Sequence, residues 1–335
     1  LVIDPYFSAT KIKWIIENVK EAKECLKNGN LLIGTIDTWL IWTFTKGSEH
    51  STDVTNASRT MLYNILEDEW DDELLDIFAL PKNILPNVKR SVDDFGKIAS
   101  NFFGNEIQIG GVAGDQQAAS VGQSCFKEGM VKSTYGTGCF LLMNTGSDII
   151  KSQSNLLSTT AYNINGNKSY AIEGSIFNAG TVVQWMRDEL QFFNKASEVE
   201  NLASKSSNDI HFVPAFTGLG APYWRSDIRG QISGITRDTS KADIAMAALK
   251  SICFQTRDLF ECLLKDTNYT REKFVIRVDG GMTRNNMMMQ FLSDILQVKI
   301  ERPVNQETTA IGAAYLAGIF AGIYKGVADV EELWK

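Results

Sequence analysis

From Met130 onward the chain alternates strand-type runs with helical stretches in one order: three strands and a helix, then strand–helix, then strand–helix. Met130–Thr134, Cys139–Met143 and Tyr170–Glu173 read as the three strands, and Gly180–Leu190 carries the 3.6-residue apolar period of a helix. The long stretch Ser240–Leu264 reads as a helix, and Phe274–Val278 as a buried strand followed by a helix over Asn285–Leu296. Lys299–Arg302 is a short strand stopped by Pro303, and Glu307–Ile323 a last large helix. Strands joined by tight turns pair antiparallel, whereas strands joined through helices run parallel. The order therefore predicts an α/β fold, a mixed sheet with helices on its faces. Before it lie amphipathic stretches over Thr10–Cys25, Thr35–Phe44 and Asp71–Phe78, a short strand at Ile107–Val112 and a helix from Gln116 to Gln123. The length of 335 residues suggests two domains, and the change of pattern near Ser124 places the boundary there, dividing 1–124 from 125–335.

Composition narrows the functional classes. Lys+Arg 33 against Asp+Glu 40 gives a net charge of −7, so no cationic footprint for nucleic acid is present. The 17 uncharged residues from Thr308 to Tyr324 fall short of the roughly 20 apolar residues of a membrane span. Their small residues Gly312, Ala313, Ala314, Ala317 and Gly318 suit a helix lying close on a neighbour. Five scattered cysteines with no C-x-x-C read as free thiols of a reducing, cytoplasmic compartment. His50 and His211 stand far apart, and no His/Cys cluster offers a zinc site. Walker A, G-x-G-x-x-G and G-x-S-x-G patterns are absent.

What remains is three glycine turns at strand ends: Tyr135-Gly136-Thr137-Gly138, Asn178-Ala179-Gly180 and Asp279-Gly280-Gly281. Glycine lets backbone N–H groups converge on an anion, the Thr137 hydroxyl adds a donor, and helix N-termini favour phosphate. Each alone is more often an ordinary hairpin or capping turn. Three at the ends of one sheet point to a nucleotide site. A fourth element, Gly111-Val112-Ala113-Gly114-Asp115-Gln116-Gln117, puts a carboxylate at a strand–helix turn next to the inferred boundary. Alone it reads as an N-cap. Facing a cleft, Asp115 can take a proton from a substrate hydroxyl and lie near Mg²⁺, while Gln116 can hydrogen-bond a polyol. Tyr6 and Phe140 are the aromatic candidates to cover a polyol's carbon face.

At these residues the chain resembles the FGGY carbohydrate kinases, and among them the glycerol kinases. The carrying segments are Asp4-Pro5-Tyr6-Phe7-Ser8-Ala9-Thr10-Lys11 with Trp14, Thr52-Asp53-Val54-Thr55-Asn56-Ala57-Ser58-Arg59-Thr60-Met61-Leu62, Ala113-Gly114-Asp115-Gln116-Gln117-Ala118-Ala119 and Tyr135-Gly136-Thr137-Gly138-Cys139-Phe140. Pro214-Ala215-Phe216-Thr217-Gly218-Leu219-Gly220-Ala221-Pro222-Tyr223-Trp224 and Arg277-Val278-Asp279-Gly280-Gly281 complete them. The resemblance implies an actin-like pair of ribonuclease-H-like domains that closes on ATP, Mg²⁺ and glycerol. By it, Asp115 is the general base, with Tyr6, Asp115, Gln116 and Phe140 around the polyol. Thr137, Gly180, Gln184, Gly281 and Asn285 are the ATP contacts.

The chain also departs from that family. The Asp-x-Gly-Thr-Thr-Ser phosphate loop and the Arg-Glu pair that grips glycerol do not occur, so the sequence reads as starting inside the family's first domain and ending before its C-terminal segment. The expectation is little or no kinase activity from this polypeptide alone. Asn101-Phe102-Phe103-Gly104-Asn105-Glu106 lacks the Arg of a sugar-bisphosphate loop, and Lys250 stands where an acid or amide is usual. Three readings compete: a glycerol kinase or part of one, a non-catalytic ATP-binding remnant, and an actin-like or chaperone-type ATPase. Another small polyol as substrate and a homo-oligomeric assembly stay open.

Overall fold

The computed structural model describes residues 3–335. The first 90 residues build their own apolar cluster. Helix α1 (Ser8–Asn18) and α2 (Lys20–Lys27) replace the single expected helix, because Val19 sits between them in an extended conformation. A β-branched side chain at that joint loses rotamer freedom in a helix and none in an extended segment. Helix α3 (Ile36–Phe44) begins after Thr35 as expected, although the Thr35 hydroxyl bonds Asp37 rather than capping the backbone. Strand β1 (Ser51–Asp53) leads directly into α4 (Val54–Ala57), and α5 (Asp72–Phe78) is capped by Asp71, whose carboxylate accepts from Leu74 N at 3.0 Å. Strand β2 (Asn87–Lys89) pairs parallel with β1. Phe7, Val54, Leu62, Trp70 and Leu75 are buried together under these elements. The Ile107–Val112 strand shrinks to Ile107–Gln108.

Helix α6 (Asp115–Gly122) then leads into the large sheet. Its strands are β3 (Met130–Tyr135), β4 (Cys139–Gly146), β5 (Leu157–Ile164), β6 (Asn167–Ile176), β7 (Val275–Asp279) and β8 (Ile300–Glu301). They lie in the order β8-β7-β3-β4-β6-β5. Strands β3 to β6 pair antiparallel, with β6 lying between β4 and β5, and β7 joins β3 and β8 in parallel. The mixed α/β architecture is the one the element order predicted. Strand β5 was not anticipated. Its Leu-Ser-Thr-Thr-Ala-Tyr-Asn-Ile run looks polar, yet Thr159 and Thr160 are buried in the sheet.

Alternate residues of the sheet serve two cores. Leu141 and Met143 face a large cluster with Val182 and Met186 of α7 (Gly180–Asp188) and Leu249, Ile252 and Leu259 of α8 (Lys241–Thr267). Leu142 faces the other side, with Leu316 and Ile319. Helix α8 starts with a capping box in which Ser240 and Asp243 exchange hydrogen bonds. Helix α9 (Asn286–Leu296) is capped by Asn285, and α10 (Thr308–Phe320) is the small-residue helix. A methyl group on Gly312 would overlap the Ala118 carbonyl of α6, and one on Gly122 would overlap the Thr308 carbonyl. The apolar run is therefore a helix–helix contact, and among the described residues no helix is long and apolar enough to cross a membrane. All five cysteines are free, and burial raises the Cys139 thiol to about 11.

Candidate active site

The three glycine turns meet. Gly180 N donates to Gly136 O at 2.8 Å, and Ala179 N donates to Thr137 O at 3.0 Å. Gly280 has φ +91°, and a Cβ there would lie 2.5 Å from Tyr135 O. A Cβ on Gly180 would lie 2.5 Å from Gly136 O. Only residues without side chains let three backbone segments approach this closely. The turns open on a cavity of about 490 Å³, within the usual range of small-molecule sites. Thr137, Gly180, Gln184, Gly281 and Asn285 all line it, together with Arg187, Glu200 and Arg284. The Asn285 carboxamide oxygen caps α9, accepting from Met288 N at 2.8 Å, and its buried Nδ2 has no partner among the described residues. Beside the open Gly281, that unspent donor suits a nucleotide.

Asp115 stands outside that cavity, as the first residue of α6, exposed, with its carboxylate accepting from Gln116 N at 2.7 Å. The turn before it is anchored from below. Gly114 N donates to the Thr55 hydroxyl at 2.8 Å, and Thr55 donates to Asp53 at 2.8 Å. Asp53 also accepts from Asn56 N, Asn56 Nδ2 and Ser91 Oγ. Burial lifts its carboxyl to about 6, against the pull of those hydrogen bonds.

The wall next to Asp115 is made of charged side chains. Arg59, just after α4, pairs with Glu173 of β6 at 2.7 Å and donates to the Tyr6 hydroxyl at 3.1 Å. Burial pushes the Tyr6 phenol up, with Arg59 opposing. Lys132 of β3 has no exposed surface and donates to Gln116 Oε1 and, at 3.4 Å, to Phe140 O. Burial pushes its ammonium down, while Asp279 and Asp115 hold it up. The Asp115 charge acts on both Tyr6 and Lys132, and Lys132 ties the Gln116 side chain to the Phe140 backbone. Arg59, Glu173, Lys132 and Asp53 were not singled out from the sequence as site residues. Arg59 and Asp53 lay within a quoted segment, but no spacing rule marks a lysine inside an apolar strand. Among the described residues no group of three His, Cys, Asp or Glu gathers to hold a metal.

Known proteins resemble this chain along its whole length. Residues 131–321 match the FGGY family of carbohydrate kinases, C-terminal domain, and residues 1–122 match its N-terminal domain. The glycerol kinase of Marinomonas sp. is 52% identical over 337 residues, covering all of this chain and 68% of that protein. The glycerol kinase of Staphylococcus epidermidis is 51% identical, covering 67% of its length. The crystal structure of Plasmodium falciparum glycerol kinase with ADP superposes with a TM-score of 0.88 at 42% identity, over 98% of this chain and 66% of that one. A ligand-bound xylulose kinase from Lactobacillus acidophilus, 22% identical with a TM-score of 0.83, shares the fold. The chain spans about two thirds of the length of these relatives. It belongs to the FGGY family of carbohydrate kinases.

Proposed function

We propose that this chain carries the machinery of a glycerol kinase, transferring the γ-phosphoryl group of ATP to a primary hydroxyl of glycerol in the cytoplasm. The observation that carries this is the pairing of the three-turn cavity with a helix that begins at Asp115 beside a polar wall. Asp115 accepts the hydroxyl proton as that oxygen attacks the γ-phosphorus and ADP departs. A positioned base of this kind contributes roughly 10²–10⁴-fold. Tyr6, Gln116 and Phe140 orient the polyol, which turns a bimolecular encounter into an aligned one. Thr137, Gly180 and Gly281 hold phosphates and sugar, and Gln184 and the Asn285 amide complete the nucleotide pocket. Asp115 is the carboxylate that would hold Mg²⁺, an ion that generally takes only one or two protein carboxylates and would neutralise charge on the phosphates. The Marinomonas and Staphylococcus relatives, each called a glycerol kinase, support the substrate, and five free cysteines suit a reducing compartment.

Calorimetric titration of the purified chain with ADP and with glycerol, alongside glycerol-dependent ADP formation, tests the proposal. Saturable binding of both, with any turnover abolished by Asp115→Asn, is the expected result. Binding of ADP with no response to glycerol at any concentration would leave a nucleotide-binding remnant and remove the kinase reading.

A further inference from the structure

Lys132 is a lysine with no solvent-exposed surface in the middle of a sheet. Lysine is almost never fully buried unless paired. No ion pair of Lys132 is found among the described residues, and its carboxylate neighbours Asp279, Asp115 and Glu173 act only at longer range. The ammonium instead reaches two neutral oxygens, Gln116 Oε1 and Phe140 O. These belong to two of the residues placed around the polyol.

An ammonium can only donate hydrogen bonds. Its contact therefore settles which end of the Gln116 amide faces inward: the oxygen is spent on Lys132, and the NH₂ group turns away from it. Among the described residues that NH₂ has no protein partner, and Gln116 is half-buried. A glutamine free to rotate presents either a donor or an acceptor to a ligand. One pinned by a buried cation presents donors only, and donors select an oxygen acceptor. The same ammonium holds the Phe140 carbonyl, so both walls are fixed from one point behind them.

We propose that Lys132 is a positioning residue that locks the Gln116 carboxamide with its NH₂ toward the polyol, making the site selective for a hydroxyl oxygen at that place. This rests on the glycerol reading for the identity of the polyol, but the lock itself does not. A lysine that merely fills space in the sheet would leave the amide unchanged when replaced by an isostere.

The test uses the whole chain labelled with ¹⁵N. The Gln116 side-chain amide signals are assigned by their disappearance in Gln116→Ala. In Lys132→Met those signals are expected to shift and their protons to exchange faster, because the amide loses its anchor. Unchanged Gln116 signals in Lys132→Met would overturn the lock. Should that variant fail to fold, Lys132→Gln, which keeps a buried donor on a shorter stem, takes its place with the same expectation. Binding supplies the second readout. Lys132→Met is expected to weaken glycerol roughly tenfold, the loss of about one hydrogen bond. ADP affinity is expected to stay within about twofold, since independent sites do not couple. Lys132→Met/Gln116→Ala is expected to bind glycerol no more weakly than Gln116→Ala, because one residue acts through the other. Simple addition of the two losses would overturn the proposal. If the unaltered chain binds no glycerol, the glycerol reading fails by itself, and the amide signals still decide the lock.

Discussion

The two halves of the candidate site are built from different materials. The side proposed for the nucleotide is made of backbone: three turns tied by Gly180 N to Gly136 O and Ala179 N to Thr137 O, with Gly180 and Gly280 at the closest approaches. The side proposed for the polyol is made of side chains: Arg59 on Glu173 and Tyr6, and Lys132 on Gln116 and Phe140. The first offers partial charges that cannot reorient, which suits groups shared by every nucleotide. The second sets whole charges and a directed amide close to Asp115.

The largest expected effect comes from Asp115→Asn. It removes the proton acceptor without altering size, so whatever phosphoryl transfer the chain supports is expected to fall by roughly 10²–10⁴-fold, to the point of vanishing, while glycerol and ADP binding persist. Coupled measurement of ADP formation and calorimetry checks both parts. Loss of binding together with loss of rate would instead make Asp115 part of the wall. Next is Arg59→Met. Glu173 is 4% exposed, and stranding its charge is expected to cost about 3–5 kcal/mol in urea unfolding. Arg59→Met/Glu173→Met removes both charges and is expected to recover most of that loss, as replacing a buried pair by apolar groups often does. A double variant as unstable as the single one would show that the pair packs rather than compensates.

How much of this was legible beforehand follows from the same division. The glycine turns stand out because glycine at a strand end implies close approach, and the structure brings all three together. Asp115 stood out because a carboxylate opens a helix. The charged wall was hidden. Lys132 sits among Met130, Val131 and Ser133 with nothing in the spacing to say that it crosses to Gln116, sixteen positions away. Glu173 in β6 meets Arg59 only through tertiary packing. Val19 looked like one more apolar position in a helical stretch, and it is its extended conformation that parts α1 from α2. Strand β5 was missed because its buried residues are threonines, whose methyl groups pack in a sheet while their hydroxyls make the sequence look exposed.

Asp53 gives the chain a pH dependence that belongs to the anchored Asp115 turn. Its folded carboxyl lies at about 6, above the ordinary value of 3.8, because burial disfavours the charge. The folded state thus holds this proton more tightly than the unfolded one. The contribution is fully present below about pH 4 and is lost as pH rises through 6, a change of roughly 3 kcal/mol. Asp37, also raised by burial, titrates in the same direction, and its charge helps to raise Asp53, so the difference between the unaltered chain and Asp53→Asn reports Asp53 together with its coupling to Asp37. Urea midpoints from pH 4 to 7 are expected to converge on those of Asp53→Asn at the acid end and to fall below them toward neutrality. Parallel curves across the range would mean that the hydrogen bonds from Thr55, Asn56 and Ser91 keep Asp53 ionised throughout.

The smallest effects test the backbone side by neighbouring residues. Gly280 has φ +91° and ψ 162°, a region only glycine occupies readily, and a Cβ would meet Tyr135 O at 2.5 Å. Gly280→Ala is expected to cost about 1–3 kcal/mol and to pull the third turn away from the first. Gly281 has ordinary dihedral freedom and nothing within 4 Å of a Cβ, because its α-carbon faces the cavity. Gly281→Ala is expected to unfold within about 0.5 kcal/mol of the unaltered chain, as surface substitutions do. Its added methyl projects where a nucleotide would lie, so ADP affinity alone is expected to weaken. If both alanines destabilise equally, the cradle is held by general packing. If Gly281→Ala leaves both stability and ADP affinity untouched, the nucleotide does not reach that turn and the cavity is occupied from its other end.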